Sequence, residues 1–126
     1  MIYTSYFSKI PDLVKVNIEP IIITSYYPPF IPERSLRHWD WLAPKWDAVA
    51  KHKHHDIGDE EYIEEYNKVL ASIPTDKLSY LASYARVGQD IGLLCYESPN
   101  KFCHRHLLRE WLNKQGIYSI EYGVEN

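Results

Sequence analysis

The chain has 126 residues, of which 45% are apolar, 14% aromatic and 25% charged; this is the composition of one globular core and excludes a disordered tail. Its 14 Lys and Arg against 17 Asp and Glu leave a net charge of −3, so no global positive field draws nucleic acid or an anionic membrane, and any such contact needs a local patch. No apolar run approaches the ~20 residues of a membrane helix, and no basic and then apolar leader stands at the start, so a cytoplasmic protein is expected, with Cys95 and Cys103 as free thiols.

Ile2 to Phe7, Tyr-rich with Thr4 and Ser5, and the β-branched run Ile21-Ile22-Ile23-Thr24 behind Pro20 predict two strands. Between them Ser8 is placed to cap a short helix with Pro11 in its first turn and Ile10, Leu13 and Val14 on its apolar face. Such a β-α-β unit joins parallel strands by a right-handed crossover. From Tyr26 to Pro44 the composition turns to prolines and aromatics, a long loop of the kind that often carries function, although Trp39, Trp41 and Trp46 also suit plugging the core.

A helix is expected from about Pro44 to Ala50. The stretch Lys51 to Asp56, with His52, His54 and His55, reads as solvated and pH-sensitive, with a basic contact to phosphate as the next reading. From near Asp59 a clearer helix puts Tyr62, Ile63, Tyr66, Val69, Leu70 and Ile73 on one face and Glu60, Glu61, Glu64 and Glu65 on the other, near its positive N-terminal end. Pro74 stops it, and Thr75 can cap another helix that ends near Gly88. Ile91 to Cys95 lacks alternation and predicts a strand buried on both faces. A last helix from near residue 101 to Gly116 buries Leu107, Leu108, Trp111 and Leu112, and Tyr118 to Tyr122 alternates with Ser119 and Glu121 as a half-exposed edge strand does. The sum is a single α/β domain over residues 1–126, three-layered, with about four mainly parallel strands flanked by helices.

In an open parallel sheet, ligands bind beyond the carboxyl ends of the strands. The exits there are Thr4-Ser5-Tyr6, Thr24-Ser25-Tyr26 and Cys95-Tyr96-Glu97, which would bring the hydroxyls of Ser5, Ser25 and Tyr26 towards the Cys95 thiol. The densest stretch, Cys95 to His106, is a strand end, a short loop and a helix start that together hold thiols, imidazoles and a guanidinium. A helix N-terminus attracts anions and lowers a thiol pKa, and Arg105 offers a planar fork for phosphate or carboxylate. The structural reading of the same residues makes Cys103 a small core residue and pairs Arg105 with Glu97 or Glu110.

Counting Cys-x5-Arg from Cys95 lands on Lys101, so this is no phosphatase loop, and it is neither a P-loop nor a dinucleotide fingerprint. Gly-x-Ser-x-Gly is absent, which leaves Cys95 as nucleophile with His104 as its base, provided the loop brings them within hydrogen-bond reach. No metal is assigned: Cys95, Cys103, His104 and His106 are ligand types, but Cys-x7-Cys-His lacks the close cysteine pairing of structural zinc, and a strand end plus a helix is expected to scatter the side chains.

Leu93-Leu94-Cys95-Tyr96-Glu97, followed by Phe102-Cys103-His104-Arg105-His106-Leu107-Leu108 and Glu110-Trp111-Leu112, resembles the C-terminal signature of domain-of-unknown-function family 488. Met1 to Phe7, Leu42-Ala43-Pro44 with Trp46, and Tyr62-Ile63-Glu64-Glu65-Tyr66 are similar to further segments of that family, so the resemblance spans nearly the whole chain. It implies an α/β fold and a site around Cys95, Glu97, Cys103, His104 and Arg105, and it implies no known reaction.

The expectation is a pocket at the strand carboxyl ends for an anionic or phosphate-bearing ligand, a nucleotide or nucleic-acid fragment. Arg105 holds the anion and Glu97 orients His104 or Arg105. The loop with Tyr26, Tyr27, Trp39 and Trp41 stacks a ring or covers the pocket, and Cys95 or Cys103 supplies the thiol of a thiol-assisted hydrolase or transferase. No cofactor is expected. Two other readings stay open: a non-enzymatic protein-interaction module using the aromatic loop 26–41, and a metal-binding protein.

Overall fold

A computed structural model of the chain describes residues 1–86, 88–96 and 103–123. Among these residues five strands, β1 (Ile2–Tyr6), β2 (Glu19–Ile22), β3 (Arg37–His38), β4 (Ile91–Cys95) and β5 (Ser119–Glu121), form one sheet in the order β3-β2-β4-β1-β5. Every pairing is parallel, so all five carboxyl ends lie along one edge. The helices are α1 (Ile10–Lys15), α2 (Trp46–Lys53), α3 (Asp59–Ala71), α4 (Thr75–Arg86) and α5 (His104–Lys114).

The two faces of the sheet are filled unequally. On one face Phe7, Leu13, Ile18, Ile22 and Leu94 form a small apolar layer under α1. On the other, Ile2, Ile21, Ile23, Ile91 and Leu93 meet Leu42, Tyr66, Leu70, Leu81, Leu108 and Leu112 in the larger one, so α3, α4 and α5 crowd onto the side that carries the site. The central strand β4 is buried at all five positions, as its lack of alternation predicts.

Pro20 lies inside β2, although proline cannot donate to a ladder. Glu19 N–H turns towards β4, bonding Asp90 O at 2.9 Å, so the next residue's missing N–H faces the opposite neighbour. That neighbour, β3, begins pairing only at Arg37 opposite Ile21.

Three local expectations change, and the face that β5 buries becomes defined. The aromatic stretch contains the short strand β3, which makes the sheet five-stranded instead of four. Ser8 does not cap α1; a 3-10 turn over Phe7–Lys9 runs into it, with no side-chain cap. Helix α2 runs past Ala50 to Lys53, because His55 adopts a left-handed backbone (φ 62°) just beyond it and turns the chain there. In β5 it is Ser119 and Glu121 that are buried, while Tyr118 beside them is exposed.

Candidate functional site

The polypeptide continues beyond β2 through Ile23, whose N–H bonds Leu94 O at 3.1 Å, and then leaves the sheet at Thr24. Thr24 Oγ1 donates to Tyr26 O at 2.7 Å and Ser25 Oγ to Pro44 O at 2.6 Å, which ties the start of the aromatic segment to its end. Tyr66 OH, reaching up from α3, donates to Leu42 O at 2.7 Å. These anchors hold α2 away from the sheet edge and leave a cleft of about 590 Å³. It is lined by Thr24, Ser25, Tyr26, Pro44, Trp46, Val49, His52, Lys53, His55, Tyr62, Cys95, Tyr96, Cys103 and His104.

Cys95, Cys103 and His104 make its floor. Contrary to the expectation of free thiols, Cys95 and Cys103 are joined as a disulfide. Cys103 caps α5 in an extended backbone (φ −152°, ψ 145°), which folds the helix start back onto the end of β4 and brings the two sulfurs together. The scatter expected of a strand end and a helix start is therefore not found: one ligand atom from each of Cys95, Cys103 and His104 lies within 4.8 Å of the others.

His104 Nε2 is 2.8 Å from Ile23 O, and since a carbonyl only accepts, this nitrogen carries the proton. Nδ1 keeps its lone pair and faces Cys103 Sγ at 3.8 Å. Burial holds the imidazole at a pKa of about 4, so it is neutral at pH 7.

Arg105 is fully buried behind this floor. Its Nη2 and Nε lie 3.0 and 3.1 Å from Glu121 carboxylate oxygens, Nη1 donates to Cys95 Sγ at 2.9 Å, and Tyr6 stacks beneath the guanidinium at 5.5 Å. Thr4 Oγ1 donates to Glu121 Oε1 at 2.6 Å, and Arg109 Nη1 reaches both, at 2.9 Å from Thr4 Oγ1 and 3.3 Å from Glu121 Oε1. The guanidinium expected to grip a ligand anion is thus held by Glu121 on the edge strand β5. Period-two alternation along Tyr118 to Tyr122 did contain the signal that Ser119 and Glu121 share a face.

The walls are basic and aromatic. Tyr26 meets Trp46 edge to face at 4.9 Å, and Tyr62 lies 4.6 Å from the His52 ring. His52 Nε2 is 2.7 Å from Asp59 Oδ1, which orients the imidazole from outside the cleft. Lys53 and His55 complete the basic side, and no carboxylate occurs among the described lining residues.

Of the residues singled out by sequence, Ser25, Tyr26, Cys95, Cys103 and His104 meet here. Ser5 does not: it is fully buried and alternates onto the sheet face of Tyr3 and Phe7, away from Tyr6 and Cys95. Trp41 packs on Trp39 at 5.5 Å, with Lys77 over its ring, as part of the larger apolar layer. Glu97 lies outside the described residues. Trp46 and Tyr62 line the cleft with no local sequence signal for it, and Lys53 does so from the stretch whose second reading is a basic contact to phosphate; Trp46, suited by size to plugging the core, is half exposed.

A parallel sheet whose carboxyl edge opens into a basic, aromatic cleft over a two-cysteine, one-histidine floor defines an α/β protein with a cleft at the strand ends, the edge where open parallel sheets in general place their ligands. The chain belongs to domain-of-unknown-function family 488: the family model described as the active DUF488-N3 subclade matches residues 18–116. That span contains every residue lining the cleft, and Arg105. No curated protein and no solved structure matches the chain. No helix among the described residues is long and apolar enough to cross a membrane.

Proposed function

We propose that the cleft binds a phosphate-bearing ligand that carries an aromatic ring, a nucleotide or a nucleic-acid fragment, in a cytoplasmic protein. The carrying observation is the lining: Lys53, His52 and His55 on one side, Tyr26, Trp46 and Tyr62 as ring surfaces, and no carboxylate among the described residues to repel an anion. A net charge of −3 does not oppose this, because the basic groups are gathered locally. The N-terminus of α5 adds its partial positive charge at the floor. Lys53, on the rim, takes the role that sequence reasoning gave to Arg105. Any thiol-assisted hydrolysis or transfer on the ligand starts from the reduced cysteine pair, since a bridged sulfur offers no thiolate.

Calorimetric titration with the four nucleoside 5′-monophosphates, their nucleosides, and a short single-stranded oligonucleotide tests this reading. The phosphorylated ligands bind and the bare nucleosides bind more weakly. Lys53→Ala and Trp46→Ala each lower the affinity about tenfold, the worth of one charged hydrogen bond or one stacked ring. Affinity unchanged in both variants, or no binding of any phosphorylated probe, refutes it.

A further inference from the structure

We propose that the reduced protein binds one borderline-soft divalent cation, zinc by preference, through Cys95 Sγ, Cys103 Sγ and His104 Nδ1, with no fourth protein ligand among the described residues and the cleft beside it. The three ligand atoms already lie within 4.8 Å of one another, all on buried residues, and all three residues line the cleft by which an ion enters.

The histidine is set for this role. A ligating imidazole characteristically donates its second ring N–H to a carbonyl or carboxylate, which fixes the tautomer. His104 does so to Ile23 O at 2.8 Å, leaving the Nδ1 lone pair directed at Cys103 Sγ. On the other side, Arg105 Nη1 donates to Cys95 Sγ at 2.9 Å and so stabilises a thiolate there, while Glu121 balances the guanidinium's charge. Two thiolates cancel the charge of a divalent ion, so the filled site is close to neutral.

Thiolate and imidazole select zinc over magnesium or calcium, and three protein ligands with a fourth position open is the pattern of zinc sites that act on substrate. The Cα atoms of the cysteines stand 7.3 Å apart, wider than a bridge usually spans, so the backbone leaves room for the sulfurs to part around an ion. Bridge and ion exclude each other. A phosphine reductant opens the bridge by taking an oxygen from water to become its oxide, while the two hydrogens of that water go to the two sulfurs. Binding then releases one proton from each thiol.

The inference shares the cleft with the proposed ligand site but does not rest on it, since the probe is the metal alone. The full chain, oxidised or reduced with a trialkylphosphine under anaerobic conditions, is titrated with Co(II). The reduced protein takes up one ion per chain, with a near-ultraviolet thiolate-to-cobalt charge-transfer band and the visible bands of a tetrahedral ion; Zn(II) displaces it, and the oxidised protein shows neither band. Cys95→Ser and Cys103→Ser abolish the charge-transfer band. His104→Gln weakens binding by at least the roughly tenfold that loss of an outer-shell contact costs. Circular dichroism identifies any variant that fails to fold, and the wild-type titration decides the matter without it. A reduced wild-type protein with no charge-transfer band overturns the proposal, as do visible bands without it, which place the ion on histidines alone.

Discussion

Arg105 brings a full charge to a position with no exposed surface, and Glu121 makes that tolerable, supported by Thr4 and Arg109. Breaking a buried pair by removing one partner strands the other, at a cost of about 3–5 kcal/mol. Glu121→Gln, which keeps the shape and removes the charge, is expected to lower stability by about that amount in urea denaturation, and Arg105→Ala by at least as much. A loss below about 1 kcal/mol for both would show the pair to be dispensable. The sequence pointed to Arg105 as a notable residue but not to its use. An acid on a short edge strand reads as solvent-facing, and the alternation of Tyr118 to Tyr122 does not say which of its two faces turns inward. That was decided by α5, which lays Arg105 and Arg109 across β1 and β5.

Gly92 shows how closely α1 sits on the sheet. It pairs with Tyr3 and Pro20 in β4, and a Cβ added there stands 3.2 Å from Leu13 Cδ1 and 3.4 Å from Ile18 Cγ2. Gly92→Val forces Leu13 and α1 outward and is expected to cost about 1–3 kcal/mol by overpacking, with Gly92→Ala costing less. Thermal melts of the two variants check the order, and equal stability of Gly92→Val and the wild type would contradict the tight packing. The strands β1, β2, β4 and β5 and all five helices were legible, because each shows its own periodicity or an uninterrupted apolar run. Strand β3 was not: two residues, Arg37 and His38, carry no period, and they are a strand only because β2 offers them a partner. The extension of α2 to Lys53 was hidden in the same way, since a basic, histidine-rich end with no apolar stripe gives no sign of continuing.

Reduction of Cys95–Cys103 tests how much of the fold depends on the bridge. The cysteines are eight residues apart. Closing so short a loop constrains the unfolded chain by roughly 2–3 kcal/mol on the chain-entropy account. Both apolar layers lie mainly in the sheet and the helices packed on it, so the reduced protein is expected to stay folded, with unchanged far-ultraviolet dichroism and a lower melting temperature. Collapse of the dichroism on adding a phosphine would show that the bridge holds the fold, and would remove the basis for a reduced, metal-binding form.

Local pattern was enough to indicate a parallel α/β sheet and to single out the stretch from Cys95 to Arg105 at its carboxyl edge, because periodicity, strand ends and helix starts are properties of neighbouring residues. The cleft's actual chemistry depended on pairs far apart along the chain: His104 on Ile23, Tyr66 on Leu42, Arg105 on Glu121, and the basic end of α2 facing the floor. Such meetings follow from how helices cross the sheet and how the segment between β2 and α2 is pinned. No local pattern encodes those crossings, so only the packed structure could separate the cation that faces the cleft from the one that supports the fold.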